Sequence, residues 1–122
     1  MSAPGTVVLI WAHGEDTFCL AKIGQILDLE ERCGSGIAAI VQRLENHTWG
    51  IRDVREPIRL GLIGGGMDPE RAQEIVERHV VPPFVAHLKT AHTILASAMV
   101  MPFGDQPGKD AADRQAPESG SL

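Results

Sequence analysis

"RLGLIGGGMDPERAQEIVERHV", residues 59–80, is the stretch that decides the fold. Glycine stands at position 61 and again at 64–66, and an amphipathic segment follows. Glycine-rich turns before helices hold phosphates in many nucleotide-binding proteins. The cluster is therefore either a phosphate loop or a joint between two helices.

The residues around the glycines do not fit a nucleotide site. A P-loop has Lys and then Ser or Thr after its last glycine, whereas Met67 stands there in this chain. A dinucleotide fingerprint follows a strand, but residues 54–63 have helical spacing. Asp68 would also place a negative charge where a phosphate would bind. We therefore predict a structural joint, with Gly64 as a helix C-cap. The joint comprises Gly64, Gly65, Gly66, Asp68 and Pro69.

The segment before the glycines has the spacing of a helix. Val54, Ile58 and Leu62 fall on one face, which predicts a helix from about residue 53 to residue 63. Pro57 is awkward within it, because proline lacks the N–H that the preceding turn would bind. A start at residue 53 therefore costs one backbone hydrogen bond or bends the helix.

The segment after the glycines begins with a strong helix start signal. Asp68 is an N-cap acceptor, Pro69 suits the first helical position, and Glu70 lies near the positive end of the helix dipole. Pro82 and Pro83 end the helix, because the residue before a proline avoids the helical region. One side of the predicted helix carries Ala72, Ile75, Val76 and His79.

The N-terminal part reads as a β-hairpin at about residues 7–20. The β-branched run at residues 7–11 predicts one strand, His13–Asp16 a turn, and Thr17–Leu20 a second strand. A two-stranded hairpin is marginal alone. We therefore expect it to pack against the helices.

Three further helices complete the predicted bundle. The first starts near Ile23 and is stopped by Gly34, and Ser35 is placed to cap the second. The last runs from about Phe84 to Met101. The apolar stripe of the second helix consists of Ile37, Ile40, Val41 and Leu44.

The sequence thus predicts a mainly α fold of the α+β type. An N-terminal β-hairpin precedes a bundle of about five short helices, in a single domain over residues 1–101. From Pro102 onward the composition shifts to Pro, Gly, Ser, Asp and Gln. Such a segment cannot bury enough apolar surface to fold, so residues 102–122 are predicted to be a flexible, disordered tail.

Composition excludes several classes of function. The formal net charge of −5 argues against binding to nucleic acid, which relies on concentrated Lys and Arg. No apolar run approaches the ~20 residues that span a membrane, and the N-terminus lacks the order of a secretion signal. Cys19 and Cys33 form no CxxC motif. We expect reduced thiols in a cytoplasmic protein, with a single disulfide as the alternative.

No residue pattern points to catalysis. His87 and His92 are five apart, ~140° round a helix, so they do not make the same-face pair of a zinc helix. Cys33 falls at a helix C-terminus, where the dipole disfavours a thiolate, and Cys19 lies between apolar neighbours. We therefore expect no catalytic, metal or cofactor site and no enzymatic activity.

Two strings nevertheless resemble one family of short phage proteins. They are "DVREPIRLGLIGGGMDPERAQEIV", residues 53–76, and "IGQILDLEERCGSGIAAIVQRLENHTW", residues 23–49. They are similar to gene transfer agent family proteins, found in the tail gene clusters of gene transfer agents and prophages of alphaproteobacteria. The resemblance covers about residues 17–101. Pro57 and the few aromatic residues of the hairpin depart from it.

The resemblance implies a role in building a phage-like tail. The family is described both as a tail assembly chaperone and as a tail tube protein. A chaperone would bind the tape measure protein and the major tail protein, whereas tube subunits are β-sandwiches that close into rings. The predicted helical fold favours the chaperone. A structural tube or connector component is the alternative, and the chain is a possible homo-oligomer.

A chaperone of this kind would hold a helix of its partner in an apolar groove. We expect the groove on the apolar stripes of two helices, where Met99 and Met101 add an adaptable surface. The alternative is that these residues form the core. The candidate residues for this surface are Ile37, Ile40, Val41 and Leu44, or Leu88, Leu95, Ala96 and Met99.

Overall fold

The computed structural model describes residues 5–104, with side chains for residues 5–100. Within this range a two-stranded antiparallel sheet is followed by five α-helices, which confirms the predicted mainly α fold with an N-terminal hairpin. The strands are β1 (Thr6–Trp11) and β2 (Gly14–Cys19). The helices are α1 (Ile23–Cys33), α2 (Ile37–Glu45), α3 (Ile51–Gly64), α4 (Pro69–His79) and α5 (Leu88–Gly104). A 3-10 turn, Phe84–His87, precedes α5.

The C-terminal helix differs from its prediction at both ends. We expected one helix from residue 84, but the first four residues form the 3-10 turn. At the other end α5 continues to Gly104, past the predicted boundary at Met101. The remainder of the predicted tail, residues 105–122, lies outside the described residues.

The hairpin turns earlier than the sequence suggested. Trp11 pairs with Gly14, so the loop consists of Ala12 and His13 alone. Gly14 adopts φ 129°, a value that favours glycine, and this lets the chain reverse within two residues. The predicted turn at residues 13–16 was therefore wrong, because Glu15 and Asp16 belong to β2.

Two caps were predicted at the connection between α1 and α2. One prediction is confirmed and the other is wrong. Gly34 ends α1 in the left-handed conformation, at φ 72°, as predicted. Ser35 does not cap α2; its hydroxyl oxygen accepts a hydrogen bond from Arg43. The N-terminus of α2 is capped by a carboxylate of α1, because the Ile37 N–H donates to Glu30 Oε2 at 2.8 Å.

An ion pair holds α2 against α3. Arg43 donates from Nη2 to Asp53 Oδ1 at 2.6 Å and from Nε to Asp53 Oδ2 at 2.9 Å. Asp53 is 4% exposed and also accepts the Gly50 N–H at the start of α3. The same carboxylate thus pairs two helices and caps one of them.

Helix α3 lies at the centre of the bundle. It begins at Ile51, before the predicted start, and contains Pro57 within its length. The predicted face of Val54, Ile58 and Leu62 is buried, and so is Leu60 on another side. Residues on several faces are buried because α3 packs against β2, α1, α4 and α5.

Helix α4 begins as its local sequence predicts. Asp68 Oδ2 accepts hydrogen bonds from the backbone N–H groups of Glu70 and Arg71, and Pro69 is the first helical residue.

The buried core fills the space between the helices and the inner face of the hairpin. It consists of Phe18, Leu20, Leu29, Ile40, Leu44, Val54, Ile58, Leu60, Leu62, Ala72, Ile75, Val76, Val80, Ala91, Ile94 and Leu95.

Candidate interaction surface

The hairpin packs against the helical bundle at the glycine joint. A Cβ atom on Gly64 would overlap the carbonyl oxygen of Cys19, and one on Gly65 would overlap that of Thr17. A Cβ atom on Gly61, one turn earlier, would lie 3.2 Å from the ring of Phe18. The glycines thus give α3 a side-chain-free end on which the backbone of β2 rests.

The joint also turns the chain from α3 into α4. The C-cap is Gly65, not Gly64 as predicted, and its N–H donates to the Gly61 carbonyl at 2.9 Å. Gly66 follows at φ 113°, a left-handed conformation that favours glycine. Asp68 then caps α4. The backbone of β2 and the carboxylate of Asp68 therefore fill the space at the joint.

The residues predicted to bind a partner differ in their exposure to solvent. Ile40, Leu44 and Leu95 are in the core, with exposures of 0%, 4% and 0%. The apolar stripe of an amphipathic helix is buried where the helix packs against another element. Here α2 and α5 pack against each other. The more accessible candidates are Ile37, Val41, Leu88 and Ala96, which are half-buried, and Met99, which is 41% exposed. Nothing is described of the Met101 side chain.

An exposed apolar pair lies instead on α1. Ile23 is 71% exposed and Leu27 is 59% exposed, and the two are one helical turn apart. Glu31, a further turn along the same face, is also exposed. We call Ile23, Leu27 and Glu31 the α1 stripe. Sequence spacing placed its apolar members in the helix but could not show that they face solvent.

A cluster of rings at the tip of the hairpin was not predicted. Trp11 Nε1 donates to Asp16 Oδ2 at 2.7 Å, and His13 Nδ1 lies 2.7 Å from the same oxygen. The rings of His13 and His79 are 5.3 Å apart, and that of His87 is 6.5 Å from Trp11. These residues come from the hairpin, α4 and the 3-10 turn, so no local pattern could reveal the cluster.

The ring cluster contains one buried histidine. His87 is 6% exposed, and burial lowers its pKa, with a smaller contribution from the charge of His79. Within residues 5–104, no group of three or more His, Cys, Asp or Glu side chains could hold a metal ion. The ring contacts of Trp11 and His13 with His79, and of Trp11 with His87, pack the hairpin tip against α4 and the 3-10 turn.

Cys33 is unsuited to nucleophilic catalysis. Burial raises the pKa of its thiol to about 12, and the negative charges of Asp53 and Glu56 contribute. The thiol donates to the Arg52 carbonyl at 3.5 Å. A thiol with this pKa carries almost no thiolate at neutral pH.

A family model described as "Phage tail tube protein, GTA-gp10" matches residues 4–100. The chain belongs to this family. The match includes the hairpin, the glycine joint and most of α5, so the GTA-gp10 family is matched over nearly the whole described fold. The protein is accordingly a tail protein of the phage and gene transfer agent type.

Two further comparisons add no relative. A search of the curated proteins and a search of the solved structures each found no match. In the part of the chain that the structure describes, no helix is both long enough and apolar enough to cross a membrane.

Proposed function

We propose that this GTA-gp10 family protein is a tail assembly chaperone, which binds other tail proteins during assembly in the host cytoplasm. The observation that carries the proposal is the fold. Over residues 5–104 the sheet has two strands, and the rest is mainly helical. A tube wall made of closed sheets needs many more strands from each subunit.

The α1 stripe supplies the surface for a partner helix. Ile23 and Leu27 have the spacing with which a helix contacts another helix along a groove. Glu31 extends the stripe with a negative charge, and the chain as a whole has a net charge of −5. A complementary partner is therefore an amphipathic helix with Lys or Arg beside its apolar face. We propose that the tape measure protein provides this helix and that the major tail protein is the second partner.

The alternative is a structural component of the tail. The family description, which names a tail tube protein, favours it. In that case the helical fold would be retained in the finished particle, as a tube or connector subunit present at a fixed ratio to its neighbours.

Affinity capture after co-expression with the tape measure and major tail proteins tests the chaperone function. The wild-type chain should capture the tape measure protein, and Leu27→Glu should reduce the captured amount at least tenfold. Val85→Glu is the matched control, because Val85 is 68% exposed but lies on the 3-10 turn, away from α1. Failure of the wild type to capture the tape measure protein, or undiminished capture by Leu27→Glu, would contradict the proposal.

A further inference from the structure

The two outer edges of the hairpin differ in whether other parts of the protein cover them. The carbonyl groups of Thr17 and Cys19 point away from β1 and rest on the glycines at the end of α3. The outer edge of β2 is therefore covered. Covering an edge in this way prevents other strands from pairing with it.

The outer edge of β1 is open over the described residues. Thr17 pairs with Val8 and Cys19 with Thr6. Because the polar groups of Thr17 and Cys19 point outward, these are non-hydrogen-bonded pairs, and the polar groups of Thr6 and Val8 point outward too. By alternation the same holds for Ile10. Within residues 5–104, no backbone hydrogen bond from outside the hairpin reaches these three residues.

The side chains along β1 do not protect this edge. Val8 is 55% exposed and Ile10 is 85% exposed. Natural proteins usually guard an open edge with Lys, Pro or a bulge, and the strand Thr6–Trp11 has neither residue nor any charge. Its β-branched residues have high strand propensity.

We propose that the open edge of β1 pairs in antiparallel fashion with β1 of a second copy of the chain. A two-fold axis at Val8 places the two Val8 residues opposite each other and pairs Thr6 with the partner's Ile10. This register uses every outward-facing polar group of Thr6, Val8 and Ile10. It produces a four-stranded sheet in the order β2, β1, partner's β1, partner's β2. The inference is independent of the chaperone function.

Two observations favour a second copy of the chain as the partner of this edge: the distribution of charge and the fact that the pairing ends at a dimer. In this register no like charges face each other, because β1 is uncharged and each Glu15 lies at an outer corner of the sheet. A pocket of about 200 Å³ beside Leu9, lined also by Lys89, Thr90 and Thr93, leaves room under the edge for the partner's side chains. Since α3 covers the outer edge of β2, pairing ends at a dimer and does not continue into a fibre.

Sedimentation equilibrium on the full chain tests the dimer. The wild type should have about twice the 13.1 kDa mass of one chain at micromolar concentration. Val8→Pro removes an outward N–H that the hairpin does not use, and should give a monomer with an unchanged far-UV circular dichroism spectrum. Val8→Thr, which keeps the N–H and the branched shape, should remain dimeric.

Ile10→Lys decides the case if Val8→Pro fails to fold. Its side chain is almost wholly exposed, so a folded monomer is expected. A monomeric wild type would overturn the proposal, and so would a folded edge variant that remains dimeric. A monomeric variant that still captures the tape measure protein would support the dimer edge and leave the chaperone function intact, so the two proposals fail separately.

Discussion

The carbonyl oxygen of Cys19 occupies the space that a Cβ atom on Gly64 would need. This contact joins the hairpin to the central helix, and the Thr17 carbonyl repeats it at Gly65. The glycine cluster is therefore required by close packing of backbone on backbone.

Replacing Gly64 with Ala should destabilise the fold by about 2–3 kcal/mol, because the added methyl group meets backbone that cannot rotate away. Urea unfolding measures the change. Gly24→Ala is the matched control: it lies in the first turn of α1 with open space around it. It should stabilise the protein by about 0.4–1 kcal/mol, because alanine restricts the unfolded chain. Equal effects of the two substitutions would show that the hairpin does not rest on the joint.

Replacing Asp53 with Asn should cost about 2–4 kcal/mol of unfolding free energy. The change leaves the half-buried Arg43 without its charged partner, the buried carboxylate of Asp53. Asp28→Asn is the control, because its pair with Arg32 is exposed and should contribute less than about 1 kcal/mol. Chemical denaturation at neutral pH measures the free energy of unfolding of both variants. Similar decreases in the two would argue that the Arg43–Asp53 ion pair does not hold α2 against α3.

The stability of the protein should fall as the pH decreases below the ordinary histidine pKa of 6.5. Burial lowers the pKa of His87 in the folded state, so between the folded and unfolded values the unfolded chain binds the proton more readily. Urea unfolding from pH 7.5 to pH 5 should therefore show a slope that His87→Gln reduces. His47→Asn, at an exposed site, should keep the wild-type slope. An unchanged slope in His87→Gln would refute this assignment.

Cys33 should react slowly with iodoacetamide in the folded protein at pH 8. The thiol is half-buried with a pKa of about 12, so almost none of it is thiolate. Mass spectrometry of a Cys19→Ala variant isolates this thiol. Unfolding in urea should accelerate labelling strongly, because it removes both the burial and the nearby charges of Asp53 and Glu56. Equal rates in the folded and unfolded protein would contradict the prediction.

The elements that the sequence predicted well are those whose signals are local. Asp68 and Pro69 cap α4 from adjacent positions, and Gly34 ends α1 by its own conformation. The cap of α2 was missed because it comes from Glu30, on another helix. No window of sequence around residue 37 contains that information.

The candidate surface was harder to predict for a different reason. A stripe such as Ile40 and Leu44 shows that a helix packs on something apolar, but not whether that partner is internal. The fold makes it internal, since α2 faces α5. The exposed Ile23 and Leu27 carry the same kind of pattern and lie on the outside. Only the three-dimensional arrangement separates the two cases.

The most direct test of the chaperone function is quantitative mass spectrometry of purified particles, with the protein counted against the major tail protein. A chaperone leaves when assembly ends, so the mature particle should contain only a trace of this chain. A fixed ratio to the major tail protein in mature particles would contradict it and make the chain a structural component of the tail.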